Sequence, residues 1–251
     1  DQWIELYNNS ALPIDLAGYT LDSNVPSGIH ASLSGVIPAH GYYLIESTAD
    51  IVISNISADL VTSFGTGLSS VGEILSLHWG STLIDQTSSL CGVLSQWCGG
   101  DLSQKFSMER NDAHVTGITI SNWGTNNTLI HNGRDSGNNP IWGTPKARNG
   151  VQYALRLGTI NSDTVFTSAE SPYVITGNLT IASGKTLTIQ AGTAVKFSGS
   201  YSLFVDGALQ LNGTSDNPII ITSIRDNAYG GDLNGNASSS IPAARDWNAI
   251  E

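Results

Sequence analysis

Short alternations of apolar and polar residues run along the whole chain and predict β-strands. The segments 3–7, 41–45, 73–77 and 186–189 show this pattern or form brief apolar runs, and Gly, Pro, Asn and Asp punctuate the sequence between them. No long stretch has the period of an amphipathic helix. The pattern therefore predicts an all-β protein.

The spacing of the strand signals along the sequence changes between residues 150 and 165. Before this region the strand signals are irregularly spaced, with long polar loops and with Trp in several of the apolar segments. Such a layout is typical of a β-sandwich with aromatic core residues. This change in spacing predicts a first domain over residues 1–150 and a linker over residues 151–162.

A repeat follows the predicted linker. The segment 174–181 matches the segment 204–211 at an offset of 30 residues, with Leu179 opposite Leu209. A repeat of this length that contains short strands indicates a solenoid, in which each coil stacks on the last and the inward side chains form a continuous core. We therefore predict a parallel β-helix over residues 163–251.

An ordered set of short motifs runs through the first domain, and together they resemble the lamin-tail domain of nuclear lamins and of many bacterial surface proteins. This resemblance implies an immunoglobulin-like β-sandwich over residues 1–150. In that family a strand normally precedes the first motif, so the resemblance implies that the first strand of the domain is missing here. The motifs are W-I-E-L-Y-N at 3–8, P-I-D-L-A-G-Y-T-L at 13–21, I-P-A-H-G-Y-Y-L at 37–44, G-E-I-L-S-L at 72–77, S-M-E-R at 107–110, and G-T-P at 143–145 with Asn149.

Four further motifs in residues 163–251 resemble the N-terminal coils of right-handed parallel β-helix proteins of bacterial surfaces. That scaffold is shared by adhesins and polysaccharide-cleaving enzymes, so the fold alone does not decide the function. The segment 246–251 begins another strand, and we expect further coils after it, so that the β-helix in this sequence is truncated. The motifs are S-P-Y-V-I at 171–175, G-K-T-L-T-I at 184–189, G-T-A-V-K-F at 192–197 and N-P-I-I-I-T-S at 217–223.

The amino-acid composition argues against some classes of binding partner. The chain has 251 residues and a net charge of -11, with only 12% charged residues. Phosphate binding needs a basic surface, so we expect no nucleic-acid partner. No apolar run is long enough to span a membrane, and we expect no direct membrane insertion of this segment. A neutral-polar surface of this kind favours a secreted or cell-surface location.

Few residues in the sequence are arranged for catalysis. The five histidines are scattered through the first domain, and no nucleophile elbow, zinc-protease motif or phosphate loop occurs. In the second domain Lys196 and Asp206 take outward strand positions beside core-facing Val195, Phe197 and Val205. We expect these two charges to lie on a solvated face, and we expect no catalytic residues in this segment.

Cys91 and Cys98 are the two cysteines of the chain, and a local disulfide between them is the favoured interpretation; two reduced thiols are the alternative. Oxygen-bearing side chains at Asp226, Asp232, Asn234 and Asn236 have a spacing similar to the first half of a calcium loop, so calcium is the one candidate cofactor. The alternative is a Gly/Asn-rich insertion without an ion.

Two further groups of residues are candidates for carbohydrate chemistry. Strand aromatics such as Tyr42, Tyr43, Trp79, Trp97 and Trp142 are candidates for a carbohydrate platform, although packing in the core is the default for such residues. Glycosylation is a candidate where the source has the machinery. Candidate acceptors with Asn-x-Ser/Thr spacing are Asn8, Asn55, Asn126, Asn178, Asn212 and Asn236.

The favoured function is a segment of a large secreted or cell-surface protein with a structural, adhesive or self-assembling role, including filament formation. Its expected partners are other copies of itself, surface proteins or glycans. Self-assembly is expected because strands left unpaired at the two ends would offer edges for strand addition. The alternative is the non-catalytic N-terminal part of an extracellular polysaccharide-active β-helix enzyme.

Overall fold

The computed structural model describes residues 2–89, 91, 96–126, 130–234 and 240–251. It divides into two compact units, Asp1–Gln152 and Tyr153–Glu251. The described residues are almost entirely β, apart from turns and the short 3-10 helices Ile120–Asn122, Gly150–Gln152 and Ser168–Glu170. Among these residues no helix has the length and apolar character that a membrane crossing requires. The all-β prediction is confirmed.

The first unit is built from short strands. Their burial differs from strand to strand: residues 43–47 are buried throughout, whereas residues 82–84 are exposed. The strands are β1 (Trp3–Tyr7), β2 (Ile14–Asp15), β3 (Tyr19–Ser23), β4 (His30–Ser32), β5 (Val36–Ile37), β6 (Tyr42–Ser47), β7 (Leu60–Thr62), β8 (Leu75–Trp79), β9 (Thr82–Gln86), β10 (Met108–Arg110) and β11 (Trp123–Thr125).

Two of its sheets share one hydrophobic core. An antiparallel sheet has the order β4-β3-β8-β9, and a second sheet has the order β1-β6-β7 with β6 and β7 parallel. Leu21 and Ala31 from the first sheet and Tyr43 and Ile45 from the second belong to the same buried cluster. The smaller pairs β2-β5 and β10-β11 complete the unit among the described residues.

The second unit is a stack of parallel strands. These are β12 (Ala154–Ile160), β13 (Thr164–Phe166), β14 (Tyr173–Ile181), β15 (Thr186–Gln190), β16 (Ala194–Phe197), β17 (Leu203–Val205), β18 (Ala208–Asn212) and β19 (Ile220–Ser223). One sheet has the order β12-β14-β16-β19 with β17 also beside β14, and the other has the order β13-β15-β18. Together they form a β-solenoid of about three turns.

The stacking register differs from the offset of 30 residues that the sequence match predicts. Leu179 pairs with Leu203, 24 residues on, whereas Leu209 pairs with Leu187. The reason is that 174–181 lies within one continuous strand, whereas 204–211 covers two strands joined by a bend at Gly207. A Cβ at this glycine would lie 2.3 Å from the carbonyl oxygens of Ala182 and Lys185, so the bend requires glycine.

The predicted linker over residues 151–162 also differs from the structure. Strand β12 lies within it and pairs in parallel with β14, with Leu155 opposite Val174 and Ile160 opposite Ile181. Ile160 is buried in the core of the solenoid. The first rung therefore begins at residue 154. At the other end, Ile250 pairs with Leu203, so that the chain begins another rung there, as predicted.

Candidate functional site

The loop that the sequence marks as a calcium candidate covers the outer side of strand β16. The ammonium of Lys196 donates hydrogen bonds to the carbonyl oxygens of Asp226 at 2.7 Å and Gly231 at 2.6 Å. Lys196 is completely buried, and so is Val174, its neighbour on the preceding rung. Strand alternation does direct Lys196 away from the core residues Val195 and Phe197. The expectation of a solvated face is nevertheless wrong for Lys196, because the loop lies over it, while Asp206 is exposed.

The hydrogen bonds of the Lys196 ammonium go to carbonyl oxygens. Burial lowers the pKa of Lys196 to about 8, and the nearby charges of Asp226 and Asp232 oppose this shift. The carboxylate of Asp226 accepts hydrogen bonds from the hydroxyl of Thr222 at 2.8 Å and from the backbone N–H of Ala228 at 3.1 Å. The buried ammonium therefore supplies a positive charge to loop carbonyls of the kind that calcium also binds.

The predicted calcium ligands are only partly described. Asp232 accepts a hydrogen bond from the backbone N–H of Asn234 at 3.3 Å, whereas Asn236 lies outside the described residues. In the described part of the chain, no three His, Cys, Asp or Glu side chains are grouped to hold a metal ion. That finding does not test a calcium site made largely of amide and backbone oxygens, so calcium stays a prediction.

Several acidic side chains of the first unit are buried and accept hydrogen bonds from backbone N–H groups. Glu46 is completely buried and accepts hydrogen bonds from the backbone N–H groups of Val52 and Ile53, which fixes the turn after β6. Burial raises the pKa of Glu5 to about 8, although the backbone N–H of Lys146 donates to its carboxylate.

Glu109, in the S-M-E-R motif, joins three distant segments. Its carboxylate accepts hydrogen bonds from Asn126 at 2.7 Å, the backbone of Val151 at 3.1 Å and Thr144 at 3.3 Å. Burial raises its pKa above the ordinary value, against the effect of these hydrogen bonds. The sequence showed the motif but not the partners, because they lie 17 to 42 residues away.

Two of the scattered histidines meet at one carboxylate. His30 Nδ1 lies 3.1 Å from Asp22 Oδ1, and His78 Nδ1 lies 3.9 Å from Asp22 Oδ2. Burial alone would raise the pKa of Asp22, but hydrogen bonds from Thr20 and His30 hold it below its ordinary value. Strands β4 and β8 flank β3, which explains how residues far apart in sequence reach the same aspartate.

Cys91 and Cys98 form a disulfide, as predicted, with their Cα atoms 5.0 Å apart. The Cys91 side is buried, and the residues 92–95 of the closed loop lie outside the described part of the chain. A loop this short constrains the unfolded chain by about 2–3 kcal/mol in the loop-entropy account.

The glycosylation candidates fall into two environments. Asn8 is buried, and its amide nitrogen donates to the carbonyls of Leu12, Ile37 and Pro38. Asn126 is buried as well, and its amide nitrogen donates to Glu109 and Ile130. A glycan on either nitrogen would displace these hydrogen bonds. The exposed candidates are Asn55, Asn178 and Asn212, while Asn236 lies outside the described residues.

The candidate aromatic platform is not assembled as one surface. Tyr43 is buried in the core, Trp97 packs against the same core, and Trp142 packs against Phe106 and His131. Trp79 differs, because 56% of it is exposed. It lines an open groove of about 350 Å³ together with Gly18, Gly80, Ser81 and Thr82.

Comparison with known proteins identifies a similarity in the second unit. Residues 158–238 match the family described as a pectate-lyase like beta helix domain. Protein bark beetle of Drosophila melanogaster is 32% identical to this chain over 94 residues, which are 37% of this chain and 3% of that protein. The chain thus spans about 3% of the length of this curated relative. No solved structure matches.

The family match and the stacked rungs agree. The parallel β-helix prediction is therefore confirmed for the second unit, and with the disulfide it is compatible with an extracellular protein. Residues 158–238 are thus similar to a pectate-lyase-like β-helix domain.

Proposed function

We propose that this chain is a segment of a large secreted or cell-surface protein and has a structural and adhesive role. The observation that carries this proposal is the parallel β-solenoid of the second unit, whose stacked rungs enclose a continuous core in a sparsely charged chain. Such a solenoid is a rigid spacer with an extended surface for binding. The disulfide adds support, because disulfides persist in oxidising compartments.

For residues 1–150 we propose a lamin-tail-like, immunoglobulin-like sandwich. Three of the motifs that carry this resemblance lie side by side in the fold. A Cβ at Gly143 would lie 2.9 Å from the ring of Trp3 and 2.8 Å from the hydroxyl of Ser107. These close contacts explain why the three motifs occur together. They support a common domain type, but they assign no ligand to it.

Surface labelling of the parent protein tests the location. An epitope tag in the exposed turn at residues 135–138 should be stained on intact cells expressing the full-length parent. Beads coated with the 251-residue chain should bind to cells of the source more than beads coated with the heat-denatured chain. Staining that requires permeabilised cells contradicts the location, and equal binding of the two kinds of bead contradicts the adhesive role.

The second candidate function is the non-catalytic N-terminal part of an extracellular polysaccharide-active enzyme. The similarity of residues 158–238 to a pectate-lyase-like domain favours it. If it holds, the purified full-length parent cleaves a polysaccharide, and the 251-residue chain alone does not. A parent without activity on a panel of plant and microbial polysaccharides contradicts this candidate.

Calcium at Asp226, Asp232, Asn234 and Asn236 belongs to both candidate functions as a stabilising ion. If it binds there, a chelator lowers the melting temperature of the second unit and speeds hydrogen exchange in residues 226–234, and added calcium restores both. Unchanged melting and exchange after chelation would count against the site and leave Lys196 as the cation that holds the loop.

A further inference from the structure

Trp79 lies on the core-facing side of its strand but outside the core. Leu75, Leu77 and Trp79 alternate along β8, and the two leucines contribute to the cluster between the sheets. Leu75 is 9% exposed, whereas Trp79, at the last position of the strand, is 56% exposed. Tryptophan is highly buried on average in folded proteins, so the large exposed fraction of this indole needs an explanation.

Two glycines, Gly18 and Gly80, line the groove beside the indole. A Cβ at Gly18 would lie 3.4 Å from Trp79 Nε1, against the edge of the ring. Both glycines have positive φ, 83° and 56°, which favours glycine at these positions. The remaining lining residues of the groove are Ser81 and Thr82, which carry hydroxyls.

The indole nitrogen of Trp79 has an unused donor. Trp97 Nε1 donates to the carbonyl of Ser69 at 2.7 Å, and Trp123 Nε1 donates to the carbonyl of Gly117 at 2.7 Å. Trp79 Nε1 donates to no residue in the part of the chain that the structure describes. The groove therefore offers a flat apolar face, one N–H donor and two hydroxyls within one small surface.

We propose that Trp79 is the platform of a binding site for a neutral carbohydrate, with Ser81 and Thr82 at its rim. A pyranose ring has one face of C–H groups that fits an aromatic ring, and its edge of hydroxyls needs polar partners beside that ring. Among the residues that the structure describes, no charged side chain lines the groove, and the net charge of -11 opposes a polyanion, so a neutral sugar fits better than an acidic one. The inference rests on the proposed adhesive role and names the class of ligand.

The test follows the indole N–H resonances of the 251-residue chain during titration with cellohexaose, laminarihexaose, xylohexaose and chitohexaose, with trigalacturonate as the acidic comparison. The chain has six Trp, and the resonance that disappears in Trp79→Phe is that of Trp79. We expect it to shift with at least one neutral sugar at a Kd of about 1 mM, the strength of a single small contact. Trp79→Ala should weaken binding at least tenfold. The matched control Leu12→Ala removes another exposed apolar side chain and should leave binding unchanged.

Three outcomes would overturn the inference: no shift of the Trp79 resonance with any neutral probe at ten times that concentration, binding that persists in Trp79→Ala, or tighter binding of trigalacturonate than of every neutral probe. Coated beads separate this failure from failure of the proposed function. If wild-type and Trp79→Ala beads adhere to cells equally while the resonance stays fixed, adhesion stands and the carbohydrate site falls. If the resonance shifts but no beads adhere, the site stands and the adhesive role falls.

Discussion

Lys196 is a buried side chain that joins strand β16 of the second unit to the loop around residues 226–231. Lys196→Met keeps a long side chain of similar size but removes the donors to the carbonyls of Asp226 and Gly231. Leaving partly buried acceptors without donors costs about 1–3 kcal/mol. We therefore expect the variant to lose about 1–3 kcal/mol of unfolding free energy in urea titrations and to exchange amide hydrogens faster in residues 226–231.

The half-exposed Lys185 provides the matched control. Lys185→Met should change the unfolding free energy by less than about 0.5 kcal/mol, as surface substitutions usually do. If the two variants were equally stable, the ammonium would have no structural role in the loop.

The pKa of Lys196 also makes stability depend on pH with a definite sign. The side chain titrates near pH 8 in the fold and near 10.5 when unfolded, so between these values the unfolded chain holds a proton that the folded chain has lost. Unfolding free energy then rises with pH through this window, relative to a variant without the group. Urea midpoints of the wild type and of Lys196→Met, compared at pH 7 and pH 10, should differ more at the higher pH. A difference that shrinks would contradict the lowered pKa.

At the scale of the element, alternation along each strand is encoded locally and register is not. Alternating residues or short apolar runs predicted β1, β6, β8 and β15, because such patterns depend only on neighbouring residues. The stacking of Leu179 on Leu203 depends on the lengths of the bends between strands, which an alignment of similar letters misses. The disulfide could be predicted because its partners are seven residues apart.

Two residues of the candidate sites show the same limit of prediction from local sequence. Alternation correctly placed Lys196 on the outer side of β16, but the loop that buries it arrives 30 residues later. Alternation along β8 puts Trp79 on the same side as Leu75 and Leu77, but the buried cluster takes in those leucines and leaves Trp79 56% exposed. In both cases the direction of the side chain was predictable and its environment was not, because tertiary contacts set the environment.

The register of the solenoid can be tested by coupling. Leu179 and Leu203 are both buried and adjacent in the stack. Each substitution by Ala should cost about 2–5 kcal/mol, since it leaves a cavity in a packed core. In a double-mutant cycle the pair should couple by about 0.5–3 kcal/mol, whereas Leu179→Ala and Leu21→Ala, which lie in different units, should add independently. Additive effects for Leu179 and Leu203 would contradict the stack.

At the scale of the whole molecule, the self-association proposed for this chain would use the edge of strand β18. Phe166, Ile189 and Leu211 occupy equivalent positions on successive rungs, and the first two are 1% exposed while Leu211 is 53% exposed. Another strand laid along β18 would bury this leucine and pair the free edge of the strand. If that strand comes from the first rung of another copy, the contact is head-to-tail, and head-to-tail contacts that do not close build filaments.

The self-assembling role therefore predicts weak association of the 251-residue chain. Its mass by light scattering should rise with concentration, and Leu211→Lys should keep it monomeric because a charge at the rung edge blocks strand addition. Ile241→Lys is the matched control, since Ile241 is 75% exposed but lies outside the strands of both end rungs. A wild-type chain that stays monomeric at all concentrations would contradict self-assembly through this edge. Equal dissociation by both variants would place the contact elsewhere, because only Leu211 belongs to the repeated core position that another rung completes.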